Sequence, residues 1–331
     1  MKKYKIALCF MLSSGAVGAQ SYHFSQFFST PLLTNPANTG FTDGTYRVAS
    51  NFRSQGLQGG NGFFTGYVSA DVSPLRNLLP SGHKVGLGLY VMNDHSLSSA
   101  IQTNSIGMSA AYHVGLDAYG EHSFGLGFQG TYNQRKVDYS KLSFENQYGP
   151  GGYNPSLPIG EALDFNSKQF FDVNAGIVYN AIVENKSFFA GVAVYNILQH
   201  KENVTAVEYK MPTRFTFQAG AQLYVGEYGK AYASLTAMSQ AQANEITLGG
   251  AYGRQLTDGE KNELIAGLWY RYKDALIPYL GYQVNSFQVG LSYDYTVSSV
   301  KTGAQIKNGY ELTLLYKAVD KRELKMLIPW Y

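Results

Sequence analysis

The chain of 331 residues contains a single cysteine, Cys9, which lies near its beginning. A mature protein that starts after this region therefore has no disulfide and no thiolate metal site. Only 15% of the residues are charged, and the net charge of +3 is too small to indicate nucleic-acid binding. Beyond the N-terminal region no apolar run reaches about 18 residues, so the sequence excludes a membrane-spanning helix there.

The sequence also lacks common signatures of hydrolases. It contains no His-Glu-x-x-His and no Gly-x-Ser-x-Gly motif, which disfavours common zinc proteases and α/β-hydrolases. Gly86-Leu87-Gly88 and Gly125-Leu126-Gly127 lie within strand patterns with no helix after them, so we predict close packing on an inner face rather than phosphate binding. An enzyme remains an alternative through a pair such as Ser109 with His122. We predict no catalytic residue, no metal and no cofactor.

The N-terminal segment has the pattern of a secretory signal peptide. Three lysines precede an apolar run from Ile6 to Leu12, and small residues precede an expected cleavage near Ala19. We therefore predict residues 1–19 as a signal peptide. A lipoprotein would need Cys9 as its first mature residue, but the apolar run continues past it.

Most of the remaining chain alternates apolar and polar residues with a period of two. The clearest case is Ser105–Arg135, where two such runs flank a break at Asp117–Glu121. Each run has about ten residues or slightly more, which suits a tilted strand crossing a bilayer, and aromatic residues mark the ends. We predict an all-β fold, a transmembrane antiparallel up-and-down β-barrel of about 14 strands over residues 45–318, with a tail over 319–331. A secreted β-sandwich also alternates, but it needs neither aromatic ends nor so many equal strands.

The connections between these runs differ in length. If both termini are periplasmic, long extracellular connections alternate with short periplasmic ones, as in outer-membrane barrels. We predict the long connections at 93–104, 136–167, 199–211 and 298–308, and the rather long connection at 73–83 is an exception among the periplasmic ones.

Polar positions of the runs carry charges of both signs. Buried charges must be paired, so we predict a charge network that fills a narrow lumen together with inward Phe63, Tyr67 and Trp269. The alternative is a selectivity lining for an open channel. The inward charged residues are Arg47, Arg53, Asp71, Arg135, Asp172, Arg214, Arg271, Asp294 and Glu311.

Residues 20–44 form a lead segment that does not alternate and is rich in turn formers. It contains the motifs His23-Phe24-Ser25-Gln26-Phe27, Pro31-Leu32 and Asn35-Pro36-Ala37-x-x-Gly40. In these motifs the chain resembles the PorP/SprF family of type IX secretion outer-membrane proteins. We predict His23, Phe24, Ser25, Gln26, Phe27, Asn35, Pro36 and Gly40 as partner-binding residues, with the aromatic side chains docking and the Asn-Pro turn feeding the first strand. The alternative is a segment that only plugs the lumen.

The resemblance implies a non-enzymatic component of the type IX secretion and gliding machinery in the outer membrane of a Gram-negative bacterium. Members support export or surface attachment of proteins that carry a C-terminal targeting domain, and they work with periplasmic or outer-membrane lipoproteins. By this resemblance the connection at 139–167 would contact cargo, the lead segment would face the periplasm, and outer-membrane lipids would surround the barrel. Members often end in a Cys-Pro-Arg-Phe-like tail, whereas this chain ends Ile328-Pro329-Trp330-Tyr331, so the partner of that tail does not carry over.

A second class of function stays open, that of a passive outer-membrane channel or a transporter of hydrophobic compounds. Long-chain fatty acid transporters have about this many strands and an N-terminal hatch with Asn-Pro-Ala, the tripeptide found here at 35–37. Those chains are typically longer, and their hatch is larger than residues 20–41.

Overall fold

The computed structural model defines most of the region that the sequence assigns to the barrel. It describes residues 24–42, 44–56, 62–75, 78–80, 82–96, 99–160, 167–184, 186–203, 208–241, 243–256, 262–297 and 308–319. The predicted signal peptide, His23 and the tail beyond residue 319 lie outside these residues.

The alternating runs form strands, and 14 of them join in one closed antiparallel barrel. Each strand pairs with the next barrel strand along the chain, and the last strand pairs with the first to close the ring. The predicted transmembrane barrel of about 14 strands is therefore confirmed. The barrel strands are β1 Gly44–Gln55, β2 Phe63–Val72, β3 Lys84–Ser96, β4 Ile101–Gly115, β5 His122–Val137, β8 Ser167–Val183, β9 Lys186–Tyr195, β12 Arg214–Val225, β13 Gly229–Gln240, β14 Ala243–Gln255, β15 Asn262–Arg271, β16 Ala275–Val284, β17 Phe287–Thr296 and β18 Gly309–Val319.

Two small hairpins lie in the connections. Strands β6 Tyr148–Gly149 and β7 Gly152–Tyr153 pair in the connection after β5. Strands β10 Lys201–Asn203 and β11 Glu208–Lys210 pair in the connection after β9. Within the described residues, no helix is both long and apolar enough to cross a membrane.

The two ends of the barrel differ in their connections. We call the end where β1 begins and β18 ends the terminal rim, and the opposite end the loop rim. The connections 138–166 and 196–213 lie at the loop rim, whereas 184–185 and 285–286 are two-residue links at the terminal rim.

The expected long connection at 93–104 is wrong. Strands β3 and β4 continue their pairing through Asn93↔Asn104 to Ser96↔Ile101, which leaves only residues 97–100 as the connection. The expectation followed the end of the apolar alternation. Backbone pairing does not require apolar side chains, so the ladder extends past the apolar residues into a polar stretch.

The outer face of the barrel is apolar and the inner face is polar. Met108 and Phe171 are 69% and 67% exposed on the outer face, whereas the neighbouring inward Ser109 and Asp172 are 6% and 2% exposed. This is the arrangement expected when lipid covers the outside and the protein fills the inside.

The lead segment lies inside the barrel. Its described part, Phe24–Thr42, forms a 3-10 turn at Phe27–Ser29, one helical turn at Pro31–Thr34 and a second 3-10 turn at Pro36–Asn38. Every residue from Phe24 to Thr42 is buried except half-buried Leu33.

Met108 lies at the middle of β4 on the outer face, so it tests whether lipid covers this surface. We expect Met108→Arg to destabilise the barrel in vesicles by about 2–4 kcal/mol, because the hydrocarbon cannot solvate a guanidinium. Leu116→Arg, at an exposed position just past the end of β4, should cost at most about 1 kcal/mol. Urea unfolding of the refolded protein in lipid vesicles measures both. Equal losses for the two variants would contradict a hydrocarbon-covered outer face at Met108.

Candidate functional site

The lead segment runs along the lumen from near the loop rim to the terminal rim. Ser25 contacts Arg53, the third residue from the loop-rim end of β1. At the other end, the amide of Gly40 donates to Asp71, the penultimate residue of β2, at 2.7 Å. The described part of the lead segment therefore obstructs most of the length of the barrel.

Proline and asparagine set the turns of the segment. Pro31 and Pro36 each occupy a first helical position, where the fixed φ of proline suits the helix and the missing N–H is not needed. Asn35 precedes the 3-10 turn at Pro36–Asn38 in extended conformation, and its side-chain Oδ1 accepts a hydrogen bond from the Ala37 amide at 2.9 Å.

The upper end of the segment is held by a cluster of charges near the loop rim. The amides of Ser25 and Gln26 donate to the two oxygens of Glu311 at 2.7 and 3.0 Å. Arg53 bridges Glu311 and Asp294 at 2.6 and 3.0 Å, and the Ser25 hydroxyl donates to Asp294 at 2.6 Å. Both carboxylates are thus paired by arginine and by the lead segment, which offsets the cost of burying them.

Arg271 of β15 extends this cluster to neighbouring strands of the barrel. Its guanidinium contacts Asp294 at 3.0 Å, Asp274 at 3.0 Å and Glu245 at 3.6 Å, and it donates to the Ser25 hydroxyl. One hydroxyl of the lead segment therefore joins two arginines and one carboxylate from three different strands.

Aromatic contacts fix the segment below this cluster. The Phe28 ring lies 5.3 Å from Trp269 and 5.5 Å from Tyr279, measured between ring centroids. The Trp269 indole donates to Ser234 at 2.9 Å, so its polar edge is satisfied inside the barrel. The inward positions predicted for Tyr67 and Trp269 agree with the structure, in which they are 0% and 1% exposed.

Asn35 inserts its side chain into the wall between β8 and β9. Its Nδ2 donates to the carbonyl oxygens of Ile177 and Val192 at 3.0 and 3.3 Å. This approach needs glycine on both strands, because a Cβ at Gly176 would lie 2.0 Å from Asn35 Oδ1 and one at Gly191 would lie 2.9 Å from Asn35 Nδ2.

Glycines on β5 and β3 receive the next residues of the segment. A Cβ at Gly127 would lie 2.4 Å from the backbone of Pro36 and Ala37, and one at Gly86 would lie 2.0 Å from the Thr39 carbonyl oxygen. Gly40 has a φ of +67°, which favours glycine, and it also packs directly on Gly86. Gly86 and Gly127 therefore provide the close packing that their motifs predicted.

An arginine–aspartate pair holds the end of the lead segment that lies near the terminal rim. Arg47 donates to both oxygens of Asp71 at 2.9 and 2.8 Å and also to the Asn38 carbonyl at 3.0 Å. Asp71 in turn accepts from the Gly40 amide at 2.7 Å. This bidentate pair is fully buried, and it satisfies a donor and an acceptor of the lead-segment backbone.

Side-chain hydrogen bonds complete the lower contacts. Asn38 and Gln218 exchange amide hydrogen bonds at 3.3 and 3.0 Å. The Thr39 hydroxyl donates to Pro36 O at 2.7 Å and lies 2.8 Å from Ser109 Oγ. The backbone carbonyl oxygen of Thr39 lies 3.3 Å from His113 Nε2. Ser109 therefore positions the lead segment and lies on the opposite face of the sheet from His122, which contacts outward Tyr179.

The predicted inward charges fall into separate groups rather than one network. Arg53, Arg271, Asp294 and Glu311 meet at the upper cluster, while Arg47 pairs with Asp71. Asp172 contacts His200 in the β9–β12 connection, Arg214 stacks on Tyr195, and Arg135 contacts Thr103.

A further buried group, on β13 and β15, is not among the predicted inward charges. Glu263 contacts Lys230 and accepts from the Tyr232 hydroxyl at 2.6 Å. Glu263 precedes Ile265 by two residues on the inner face, so the alternation could have identified it. Its partners required the register of the strands.

The residues expected to bind a partner all contact the barrel interior where they are described. Phe24, Ser25, Gln26, Phe27, Asn35, Pro36 and Gly40 are buried, and His23 lies outside the described residues. Partner binding by these side chains would require the segment to leave the lumen. The arrangement is suited to obstructing the barrel, and in the described ranges no group of His, Cys, Asp and Glu has the geometry of a metal site.

Comparison with protein families identifies the chain. A model of the type IX secretion system membrane protein PorP/SprF matches residues 16–316. The chain belongs to the PorP/SprF family. This PorP/SprF member is therefore an outer-membrane β-barrel of a Gram-negative bacterium and a type IX secretion component. A comparison with curated proteins found no match.

Solved structures share the fold at low sequence identity. The toluene transporter TodX of Pseudomonas putida is 10% identical with a TM-score of 0.52, covering 92% of this chain and 96% of that one. A TodX deltaS2S3 mutant, described as a monoaromatic hydrocarbon channel, is 9% identical with a TM-score of 0.51, covering 87% and 94%. A FadL homologue of Pseudomonas aeruginosa is 12% identical with a TM-score of 0.48, covering 86% and 92%. The likeness to TodX supports the barrel architecture only.

Gly127→Ala tests whether the glycine positions hold the lead segment. The added methyl would lie 2.4 Å from Pro36 and Ala37, so we expect docking to weaken by about 1–3 kcal/mol. The readout is maleimide labelling of Ser29→Cys in protein lacking residues 1–19, which has no other cysteine. Labelling of buried position 29 should accelerate about ten-fold or more. Gly130→Ala is the matched control, because a Cβ there meets nothing within 4 Å, and equal labelling of both variants would refute the role of Gly127.

Asn35→Asp tests the insertion between β8 and β9. The change removes the donors to Ile177 O and Val192 O and places a carboxylate against these oxygens, which should weaken docking by about 1–3 kcal/mol. Hydrogen–deuterium exchange of peptides covering residues 24–42 should become faster. Asn154→Asp is the control, because the exposed Oδ1 of Asn154 only accepts from the Ser156 amide, and aspartate retains that acceptor. Unchanged exchange in Asn35→Asp would contradict the assigned hydrogen bonds.

Proposed function

We propose that this protein is a non-enzymatic outer-membrane component that supports export or surface attachment of proteins carrying a C-terminal targeting domain. In this proposal a periplasmic or outer-membrane lipoprotein of the machinery is a second partner, and the same assembly serves gliding where it carries adhesins. The observation that carries the proposal is the family match, which extends over residues 16–316.

The contacts of the lead segment support a role other than passive diffusion. The part of the chain with the most specific family motif occupies the lumen and is held by two arginine–carboxylate groups and by glycine positions on four strands. A protein that only needed to be an open channel would gain nothing from these contacts. A secretion component can instead use a closed barrel as a scaffold in the membrane.

The connection after β5 is the proposed contact surface for cargo. It lies at the loop rim, opposite the chain termini of the barrel, and it exposes aromatic residues. Tyr148 and Tyr153 are 58% and 46% exposed, and their ring centroids lie 5.3 Å apart across the β6–β7 hairpin. Exposed aromatic side chains on a small hairpin are suited to protein contacts.

A transporter of hydrophobic compounds is the second candidate. The observation in its favour is the fold likeness to TodX, a toluene transporter, at a TM-score of 0.52. Such a transporter would have to provide a path past the described lead segment, which fills the lumen with polar contacts.

The deciding experiment is an affinity purification of the tagged protein from native outer membranes, followed by mass spectrometry. We expect large surface proteins that share a C-terminal domain, together with a lipoprotein. The double variant Tyr148→Ser/Tyr153→Ser should recover several-fold less cargo, because truncation of an aromatic hot-spot residue costs about 2 kcal/mol or more. Tyr119→Ser is the control, since Tyr119 is 76% exposed at the terminal rim.

Two outcomes would overturn the proposal. One is recovery of the barrel alone, combined with uptake of toluene by liposomes that contain it, which would favour the transporter. The other is secretion of C-terminal-domain proteins at an unchanged level in a strain that lacks the protein. Equal cargo recovery by the double variant and by Tyr119→Ser would reject only the assigned contact surface.

A further inference from the structure

A cavity of about 90 Å³ lies in the lumen between the lead segment and the loop rim. Half-buried Leu33 of the lead segment lines it, together with Tyr90 and Met92 of β3. His200 and Met211 from the β9–β12 connection line it from the side of the loop rim. The cavity is separate from the contacts that hold the lead segment at Ser25, Asn35 and Gly40.

The lining of this cavity is cationic. Arg135 of β5 and Arg214 of β12 both line it, and His200 is a third basic group. Among the described residues that line it, none is aspartate or glutamate. Outside the lining, Asp172 contacts His200 Nδ1 at 2.8 Å, and Asp94 interacts electrostatically with Arg135.

The basic groups are held in place by neighbours. The Arg214 guanidinium lies 4.1 Å over the Tyr195 ring, and this stacking holds the planar group beside the cavity. The imidazole of His200 is stacked on Phe170 at 3.5 Å between centroids and is oriented by Asp172. Tyr195 also lines the cavity, beside Arg214.

The size and the apolar side of the cavity restrict what it can hold. A single water needs about 10–15 Å³ of such space, so the cavity holds several waters or one small organic group. Planar guanidinium groups match the two oxygens of a carboxylate, and Leu33, Met92 and Met211 offer contacts for a short aliphatic chain.

We propose that this cavity is a binding site for an aliphatic carboxylate, with Arg135 and Arg214 contacting the carboxylate and Leu33 contacting the alkyl chain. The carboxylate is either a free small molecule or the C-terminal group of a polypeptide that enters from the loop rim. This site is independent of the proposed export function, because it rests on the lining of the lumen alone.

Saturation-transfer-difference NMR of the mature chain in detergent, with sodium butyrate as the probe, tests the site. We expect saturable transfer to the butyrate methyl group. Arg135→Gln and Arg214→Gln should each lower the affinity for butyrate at least five-fold, since loss of a charge-assisted hydrogen bond reduces affinity by about that factor or more. Arg254→Gln is the matched control, because Arg254 is an exposed arginine at the terminal rim. Butyramide, which has the same shape without the charge, should give no saturable transfer.

Further comparisons separate folding defects and ligand sources. Retention of the β-barrel circular dichroism spectrum shows that each variant is folded, and half-buried Arg135 provides a test if Arg214→Gln fails to fold. An acetylated dipeptide with a free C-terminal carboxylate that competes with butyrate would assign the site to polypeptide termini. A dipeptide that fails to compete would assign it to free carboxylates. Equal transfer in Arg135→Gln and Arg254→Gln, or equal transfer from butyramide and butyrate, would overturn the proposal.

Discussion

The hydrogen-bonded ladder that joins β1 to β18 is the constraint on which the rest of the structure depends. A bilayer offers no water to unpaired backbone groups, so a sheet that crosses it must close. Closure with 14 strands encloses a lumen wider than that of an eight-stranded barrel, which side chains alone can fill. The lead segment occupies the additional space in the lumen. The strand number therefore leaves room in the lumen for the lead segment.

A segment without regular sheet partners can be buried only if its backbone groups find other partners. The wall supplies them from side chains. Glu311 accepts from two amides, and Gln129, Thr216 and Arg47 donate to the carbonyl oxygens of Leu32, Thr34 and Asn38. The polar inner face is thus matched to the lead segment. A partner that drew the segment out would have to replace these hydrogen bonds or stabilise the empty barrel by a comparable free energy.

This matching also separates the surfaces of the protein by role. The outer wall is apolar and faces lipid, and the inner wall is committed to the lead segment over most of its length. Apart from the luminal cavity lined by Arg135 and Arg214, the surfaces that remain for partners are the connections, of which 138–166 and 196–213 lie at the loop rim. The family relationship and the geometry are consistent on this point, because a scaffold for secretion needs exposed connections and does not need an open lumen.

The alternation of residue types is sufficient to predict the barrel, because a period of two in about ten-residue runs has few other solutions in a chain with no long apolar helix. The sequence also identified the inward charges and the family motif, since both depend only on residue type and position along the chain. It could not determine which charges meet. Arg53 and Glu311 are 258 positions apart, and their contact depends on the closure and register of β1 and β18. For the same reason, the tertiary structure alone decided that the motif lies in the lumen, since the glycines that receive Asn35 come from strands about 140 residues or more further along the chain.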